Sequence, residues 1–457
     1  MPKDPISQPS ITREQAPRTD RASGAPNLTR RAFLQQGGLV SASALAAPFT
    51  ANAANNTSNS TENAKPSSAP QIRKRVPLGR DTGIEIPDIS FGSFALGGGN
   101  AGDSDPAADE RLVRHALERG ITHFDTAHAY TEGRAEAALG RALKGRRQEV
   151  TLTSKFSANR NHSTEQQMEI LEKSLRLLKT DYVDIYLNHA INDIDRLQDE
   201  SWQRFGELAK QQGKIRQFGL SGHAGRLGDA ITYALDENLI DVMLVAYNFQ
   251  QQPSYKDRLK QYLNDWVPSL DIISGQPELP QLLERAHKQG VGVMVMKTLK
   301  GARSNDMRPY ESPGRTFAQA AFRWVLSDPF VDGLVVTMTS PEQIDEYVEA
   351  SGSGPPDNED LALLARYTAI TQGTSCTIGC GDCLDSCPAG VPIGDVLRMR
   401  MYDRDYGQPA IAAREYARLE TDASACLGCS GLPCADACSS GIAISALTRD
   451  TERRLSQ

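Results

Sequence analysis

No cysteine occurs before Cys376; all eight lie between Cys376 and Cys438. A secreted chain stapled by disulfides usually scatters its cysteines through the fold, so most of this chain folds without them. Nor is there any run of the roughly 18 to 20 apolar residues that a spanning helix needs. Charge of one sign is not concentrated either. Fifty Lys and Arg against 57 Asp and Glu leave a net charge of −7 with no basic block, which removes the usual signature of nucleic-acid or anionic-membrane binding. What is present is ordinary: 39% hydrophobic and 23% charged residues suffice for cores of normal size. A length of 457 residues suits two or three domains.

The N-terminus reads as separate from any fold. Within residues 26–54, Thr29-Arg30-Arg31-Ala32-Phe33-Leu34 precedes a weakly apolar run from Gly37 to Phe49. Small residues follow at Ala51-Asn52-Ala53. The segment resembles a twin-arginine export signal; a frayed basic amphipathic helix is the alternative. The resemblance implies a signal over residues 1–54, transport of an already folded protein, and a periplasmic or other extracytoplasmic location. Residues 55–71 are polar and low in complexity, as in a disordered linker.

From about residue 72 to 351, short apolar strands alternate with amphipathic helices. Strands are predicted at 86–96, 121–125, 150–154, 183–188, 215–220, 241–246, 291–296 and 331–337. In the first helix Leu112, Val113, Ala116 and Leu117 recur at helical spacing. Asp105-Pro106 opens it and Gly120 closes it. Eight such units give an α/β chain folded as a (β/α)8 TIM barrel. A doubly wound open sheet fits less well, because no G-x-G-x-x-G follows the first strand. Residues 247–277 form a long connection of the kind that covers a site.

In a barrel the chemistry sits where strands end. The second strand leads to Asp125 and Tyr130, the third ends at Lys155, the fourth is followed by His189, and the fifth reaches Ser221. A phenol is a poor acid at neutral pH. A neighbouring ammonium lowers its pKa, and a carboxylate holds that ammonium in place. The phenol can then give a proton to a carbonyl oxygen, while the imidazole orients the same oxygen. With FDTAHAY, TSK and YLNHA in this order, residues 74–350 resemble the aldo-keto reductase family. The resemblance implies a catalytic tetrad of Asp125, Tyr130, Lys155 and His189, and carbonyl or alcohol redox on a small substrate. For NAD(P)H it implies contacts from Ser221, Gly222, Met296, Lys297, Gln343 and Glu346. The family pattern is altered here. Gly222 stands where Asn is expected, Leu244 where Gln is, and Met296 where an aromatic residue is. No basic residue lies near 337–343 for a 2′-phosphate. Lys297 and Lys300 are candidates for phosphate contacts or simply solvated charges.

After a Gly- and Pro-rich stretch (351–360) and a predicted helix at about 361–371, two cysteine groups follow: Cys376, Cys380, Cys383 and Cys387 before Pro388, then Cys426, Cys429, Cys434 and Cys438. Thiolates are soft ligands suited to iron in a tetrahedral sulfur field. Three close cysteines wrap one cubane and a distant one completes it. That logic groups Cys376, Cys380, Cys383 and Cys438 around one centre, and Cys387, Cys426, Cys429 and Cys434 around another. Zinc sites and disulfides are the competing readings. The pattern resembles dicluster ferredoxin-like domains, which implies two [4Fe–4S] clusters in a small, mainly helical domain over 361–450. The whole then reads as an iron–sulfur oxidoreductase with the clusters relaying electrons between the barrel and an external redox protein. The rival reading is an electron-transfer or binding protein whose barrel is catalytically inactive. Nucleic acid is not expected as a partner, nor a membrane span in the mature protein.

Overall fold

The computed structural model describes residues 69–98 (apart from residue 81), 105–158, 162–191, 194–223, 227–249, 278–299, 307–371, 376, 382–404, 409–439 and 441–456. The proposed export signal, residues 247–277 from 250 onward, Lys300 and Cys380 lie outside them. The described residues all belong to one unit, Pro66–Gln457.

The fold begins with a hairpin. β1 (Arg75–Pro77) pairs antiparallel with β2 (Glu85–Pro87). Eight parallel strands then close a barrel: β3 (Ile89–Gly92), β4 (His123–Asp125), β5 (Thr151–Phe156), β6 (Val183–Asn188), β7 (Ile215–Gly222), β8 (Val242–Ala246), β9 (Gly292–Met296) and β10 (Gly333–Thr337), with β10 returning to pair with β3. The sequence expectation of one strand over 86–96 is corrected here. Pro87 has no amide to extend a ladder. Asp88 then turns aside, accepting hydrogen bonds from Ser351 Oγ at 2.6 Å and the Gly352 amide at 2.7 Å. Only four residues of that stretch enter the barrel.

Parallel barrel strands are buried on both faces and read as nearly continuous apolar runs. Inside the barrel, Ile185, Leu187, Val242, Leu244, Met294 and Val335 pack together, and Leu78, Ile84 and Ile86 of the hairpin region join them. The strands also come close: a Cβ on Gly219 would lie 1.8 Å from the Val242 carbonyl oxygen, so only glycine fits. A larger core lies between the strands and the surrounding helices. Those helices are α1 (Pro106–Glu118), α2 (Arg134–Ala142), α3 (Thr164–Leu178), α4 (Glu200–Gln211), α5 (Leu227–Asp236), α6 (Glu278–Lys288), α7 (Phe317–Leu326) and α8 (Pro341–Val348). Their starts follow sequence signals. Asp105 caps α1 through the Ala107 amide, and Ser163–Gln166 and Thr316–Gln319 form capping boxes on α3 and α7, each satisfying amides that a helix start leaves free.

Helix α9 (Asn358–Thr371) corrects the expected domain boundary at 361. Leu363, Leu364 and Tyr367 are buried in the outer core of the barrel. The Tyr367 ring lies 4.5 Å from that of Phe317, and Arg323 of α7 donates to Asp360 at 2.8 Å. The amphipathic pattern reveals a helix but not the neighbour it packs against. The remaining helices are α10 (Ile393–Arg404), α11 (Pro409–Tyr416), α12 (Ser424–Gly428), α13 (Pro433–Ala437) and α14 (Ile444–Leu455). They surround a separate small core that includes Val391, Val396, Leu397, Tyr416 and Ile444.

Candidate active site

The four strand-end residues converge. Lys155, almost completely buried, donates from Nζ to Asp125 Oδ1 at 2.7 Å and to the Thr126 carbonyl at 2.6 Å, and it lies 3.5 Å from the Tyr130 hydroxyl. The His189 ring stands edge-on to Tyr130 with centroids 5.7 Å apart. Tyr130 is placed by a tight turn in which Thr131 (φ 47°) and Glu132 (φ 60°) are left-handed. Such strain in non-glycine residues persists only where surroundings enforce it. Here Thr131 Oγ1 donates to the Leu96 carbonyl at 3.1 Å and accepts from the Ala135 amide at 3.0 Å. The His128 amide also donates to the Lys155 carbonyl at 2.8 Å, tying the β4 loop to the end of β5.

The electrostatics correct one expectation. Burial above all, then the Asp125 carboxylate and the Tyr402 phenol, push Tyr130 well above its ordinary pKa; Lys155 does not bring it down. Burial also raises the Asp125 carboxyl and lowers the Lys155 ammonium, against their mutual attraction. His189 is held well below the usual imidazole range by burial first, then by Lys155, Arg196 and Lys297. The set therefore presents a protonated phenol and a neutral imidazole. Lys155 stands ready to stabilise the phenolate that a proton transfer would leave.

This arrangement can be set beside known proteins. The family model for the aldo/keto reductase family matches residues 88–367. The chain belongs to the aldo/keto reductase family. Among similar proteins, aldo-keto reductase YhdN of Bacillus subtilis is 35% identical over 314 residues, 63% of this chain and 92% of that protein. L-glyceraldehyde 3-phosphate reductase of Escherichia coli O157:H7 is 26% identical over 330 residues, 63% and 90% of the two chains. An aldo-keto reductase from Klebsiella pneumoniae, solved in complex with NADPH, is 25% identical with a TM-score of 0.48, covering 65% of this chain and 95% of its own. The protein is accordingly an oxidoreductase of aldo/keto reductase type with the family's barrel.

A cavity of about 140 Å³ opens at the tetrad, with Asp125, Tyr130, Phe94, Met296, Lys297, Tyr402, Leu244 and Val336 among its lining residues. Of the family positions expected to hold NAD(P)H, Met296 and Lys297 line it. Ser221 does not. Its hydroxyl is spent on the backbone, donating to the Asn188 carbonyl at 3.5 Å and accepting from the Ala190 amide at 3.4 Å. At Gly222 a Cβ would lie 2.4 Å from Leu227 Cδ1 and 2.7 Å from the Ile191 carbonyl oxygen, so the family's asparagine has no room. Gln343 donates to the Tyr347 hydroxyl at 2.8 Å. Glu346 turns toward Thr316, and burial raises its carboxyl.

Three contributors escaped sequence reasoning: Phe94, His223 and Tyr402. The last comes from α10. Lys297 Nζ donates to the Tyr402 hydroxyl at 2.7 Å, and the Tyr402 ring lies 6.2 Å from Phe94. One turn earlier Arg398 donates to His223 Nδ1 at 2.7 Å. Residues four apart share a helix face, so this face of α10 seats on the barrel mouth. The only local signal is that α10 carries its apolar residues all round rather than on one stripe, as a helix buried between two bodies does.

In the small C-terminal core, Cys387, Cys426, Cys429 and Cys434 line a hollow of about 250 Å³ whose other walls include Val391, Ile393, Leu432 and Pro433. This is one of the two groupings expected from spacing. Arg449 donates to the Cys426 carbonyl at 2.8 Å and the Cys429 carbonyl at 2.5 Å. Burial raises the Cys426 and Cys434 thiols, and the neighbouring thiols add to it. For the other grouping, Ser439 Oγ donates to Asp382, which brings the neighbours of Cys438 and Cys383 together. The Ile442 amide donates to Cys438 Sγ at 3.4 Å. Among the described residues no three His, Cys, Asp or Glu side chains are grouped closely enough to hold a single metal ion. None of the seven described cysteines is in a disulfide. Among the described residues no helix is long and apolar enough to cross a membrane.

Proposed function

We propose that the protein is an exported iron–sulfur oxidoreductase. Its barrel interconverts a small carbonyl compound and its alcohol, and its C-terminal module passes single electrons to or from an external redox protein. The observation that carries the first half is the buried Asp125–Lys155 pair placed against Tyr130 and His189. Tyr130, held protonated, gives its proton to the carbonyl oxygen, while the carbon takes up a second proton and two electrons that the external redox protein delivers one at a time. Lys155 stabilises the phenolate that results, and Asp125 keeps that ammonium charged and fixed. His189, neutral, hydrogen-bonds and orients the same oxygen. In the family the hydride comes from a nicotinamide. Here the contacts for its carboxamide do not fit: Ser221 is spent on the backbone and Gly222 has no room for an amide side chain. NADPH is the ligand named for the Klebsiella relative, and both nicotinamides belong among the compounds to be titrated.

What supports the second half is the hollow among Cys387, Cys426, Cys429 and Cys434. Its size and apolar walls suit a multi-atom inorganic core better than a bare ion, and thiolates are the donors iron takes. Cys376, Cys380, Cys383 and Cys438 would hold a second such core. Each [4Fe–4S] cluster supplies one-electron redox chemistry. Ile393 at the hollow and Tyr402 at the barrel cavity lie on one helix, about 14 Å apart at 1.5 Å per residue. Arg30-Arg31 and the run after it support export in the folded state. A second reading, a barrel without catalysis that serves electron transfer or binding, is favoured by the unfit nicotinamide positions alone.

Anaerobically purified protein should hold about eight iron atoms per chain. Zinc in their place would end the relay proposal. Replacing Arg30 and Arg31 by lysine should keep the protein in the cytoplasm; unchanged export would sink that part. Carbonyl-dependent turnover, with NADH or NADPH or with a reduced ferredoxin, should fall by about 10²- to 10⁴-fold in Tyr130→Phe. Equal activity in that variant would remove Tyr130 as the proton donor; no binding of NADH or NADPH by the parent, with clusters that reduce reversibly, would favour the inactive-barrel reading.

A further inference from the structure

The side chains lining the barrel cavity include two that carry full charge, Asp125 and Lys297. Asp125 is matched by Lys155 behind it at 2.7 Å. Among the described residues Lys297 has no such match: its partners are the Tyr402 hydroxyl at 2.7 Å and the Tyr402 ring, 4.7 Å from Nζ to the centroid. Among the described residues, then, the positive charge of Lys297 in the cavity is faced by a phenol and by no carboxylate of its own.

Three further observations point the same way. Lys297 sits just past the end of β9 with φ 58°, a left-handed conformation that a residue with a long side chain seldom adopts. Strain of this kind concentrates at ligand-holding positions. The next residue, Thr298, lines the cavity, is 1% exposed, and its buried hydroxyl has no hydrogen-bond partner among the described residues. A buried polar group left unpaired is costly unless something that enters the site satisfies it. Finally, the charge of Lys297 is felt at both His189 and His223, and it shares the cavity with Tyr130. Arg398, also near His223, is paired with Asp395 at 3.7 Å, which leaves Lys297 as the charge that matters here.

We propose that the cavity takes a small carbonyl compound bearing an anionic group, a carboxylate or a phosphate ester. Lys297 and Tyr402 receive that group opposite Tyr130. The active site is then composite, because Tyr402 belongs to α10 of the C-terminal module while Lys297 and Tyr130 belong to the barrel. Lys297 supplies the charge, and Tyr402 fixes the ammonium and offers a hydroxyl of its own. A volume of about 140 Å³ beside the tetrad suits a compound of a few heavy atoms. The placement of the carbonyl end rests on the carbonyl-reduction reading above; the anion site does not.

The test is calorimetric titration of the full-length, cluster-loaded protein with matched pairs: 2-oxobutyrate against its methyl ester, and dihydroxyacetone phosphate against dihydroxyacetone. ADP-ribose serves as a nucleotide control. At least one anionic member should bind 10-fold or more tighter than its neutral partner, and the pair that shows it identifies carboxylate or phosphate. Lys297→Met should erase the difference, Lys297→Arg should restore most of it, and Tyr402→Phe should reduce it several-fold. Circular dichroism and iron content verify that each variant is folded and loaded. Equal binding of charged and neutral members, no binding of any, or a preference that survives Lys297→Met overturns the proposal. So does a Lys297-dependent gain confined to ADP-ribose, which would make this a nucleotide phosphate site. Anion-selective binding by a protein that turns over neither compound supports the anion site and sinks the carbonyl-reduction reading instead.

Discussion

In the barrel, Phe91, Phe124, Trp202 and Trp324 are all but excluded from water, and two apolar cores, one inside the strands and one outside, run the length of the sheet. After Thr371 the arrangement differs. The buried core of that segment has twelve described members, one of them a cysteine, and α12 and α13 are five residues each. A core so small rarely holds a domain together without metal or disulfides. The barrel is a fold that burial of apolar surface can sustain by itself. The module is one whose cysteines, on the proposed reading, complete the packing through what they bind.

That contrast can be broken by experiment. The largest effect should follow from Cys426→Ala combined with Cys434→Ala. Because ligation and folding are coupled, the segment beyond about residue 371 should become open to limited proteolysis. The barrel should survive as a stable fragment. Protection of the tail in the double variant would show that its apolar core suffices.

A smaller effect, on the barrel alone, should come from Leu364→Ala in α9. A fully buried leucine costs about 2–5 kcal/mol on truncation to alanine. Denaturant unfolding should place that loss on the barrel transition, with iron content unchanged. A loss confined to the tail would return α9 to the module and restore the boundary expected from sequence.

The third test is set by pH. His123 lies inside the barrel, its ring nitrogens 2.9 Å from Ser90 Oγ and 2.8 Å from Thr153 Oγ1. Burial, with a smaller contribution from Lys155, lowers its pKa to about 3. An unfolded histidine takes up a proton near pH 6.5, whereas the folded one resists down to about 3. This contribution to stability is therefore complete above pH 6.5 and is lost as pH falls through that window, by about 3 kcal/mol between pH 6.5 and 4. In His123→Asn, barrel stability should fall less steeply over this range, while the tail's response stays as in the parent. An unchanged acid limb would show that His123 is not the group being titrated.

Much of the barrel was legible because its signals are local. Apolar runs, Asp105-Pro106 and Gly120 around α1, and the order Asp125, Tyr130, Lys155, His189 each depend on near neighbours. The register of a closed parallel barrel then carries strand-end residues to one mouth. The first strand was overextended because Pro87 and Asp88 look like strand residues until the partner of the Asp88 carboxylate, Ser351, is known. The helix at 361–371 was found but misassigned, since its amphipathic face does not say which core it meets. The sign of the Tyr130 shift was missed for the same kind of reason. Lys155 was visible in the sequence, but the depth of burial that outweighs it was not.

By itself, the amino-acid order determined the barrel, the four strand-end residues and the two groups of cysteines, because each is written in spacing along the chain. Only the tertiary structure decided that Arg398 and Tyr402 reach the barrel mouth, that Lys297 stands there facing a phenol and, among the described residues, no carboxylate, and that Ser221 and Gly222 are closed to an amide. These depend on residues tens to hundreds of positions apart being packed together, and on water being excluded between them, which no local pattern encodes.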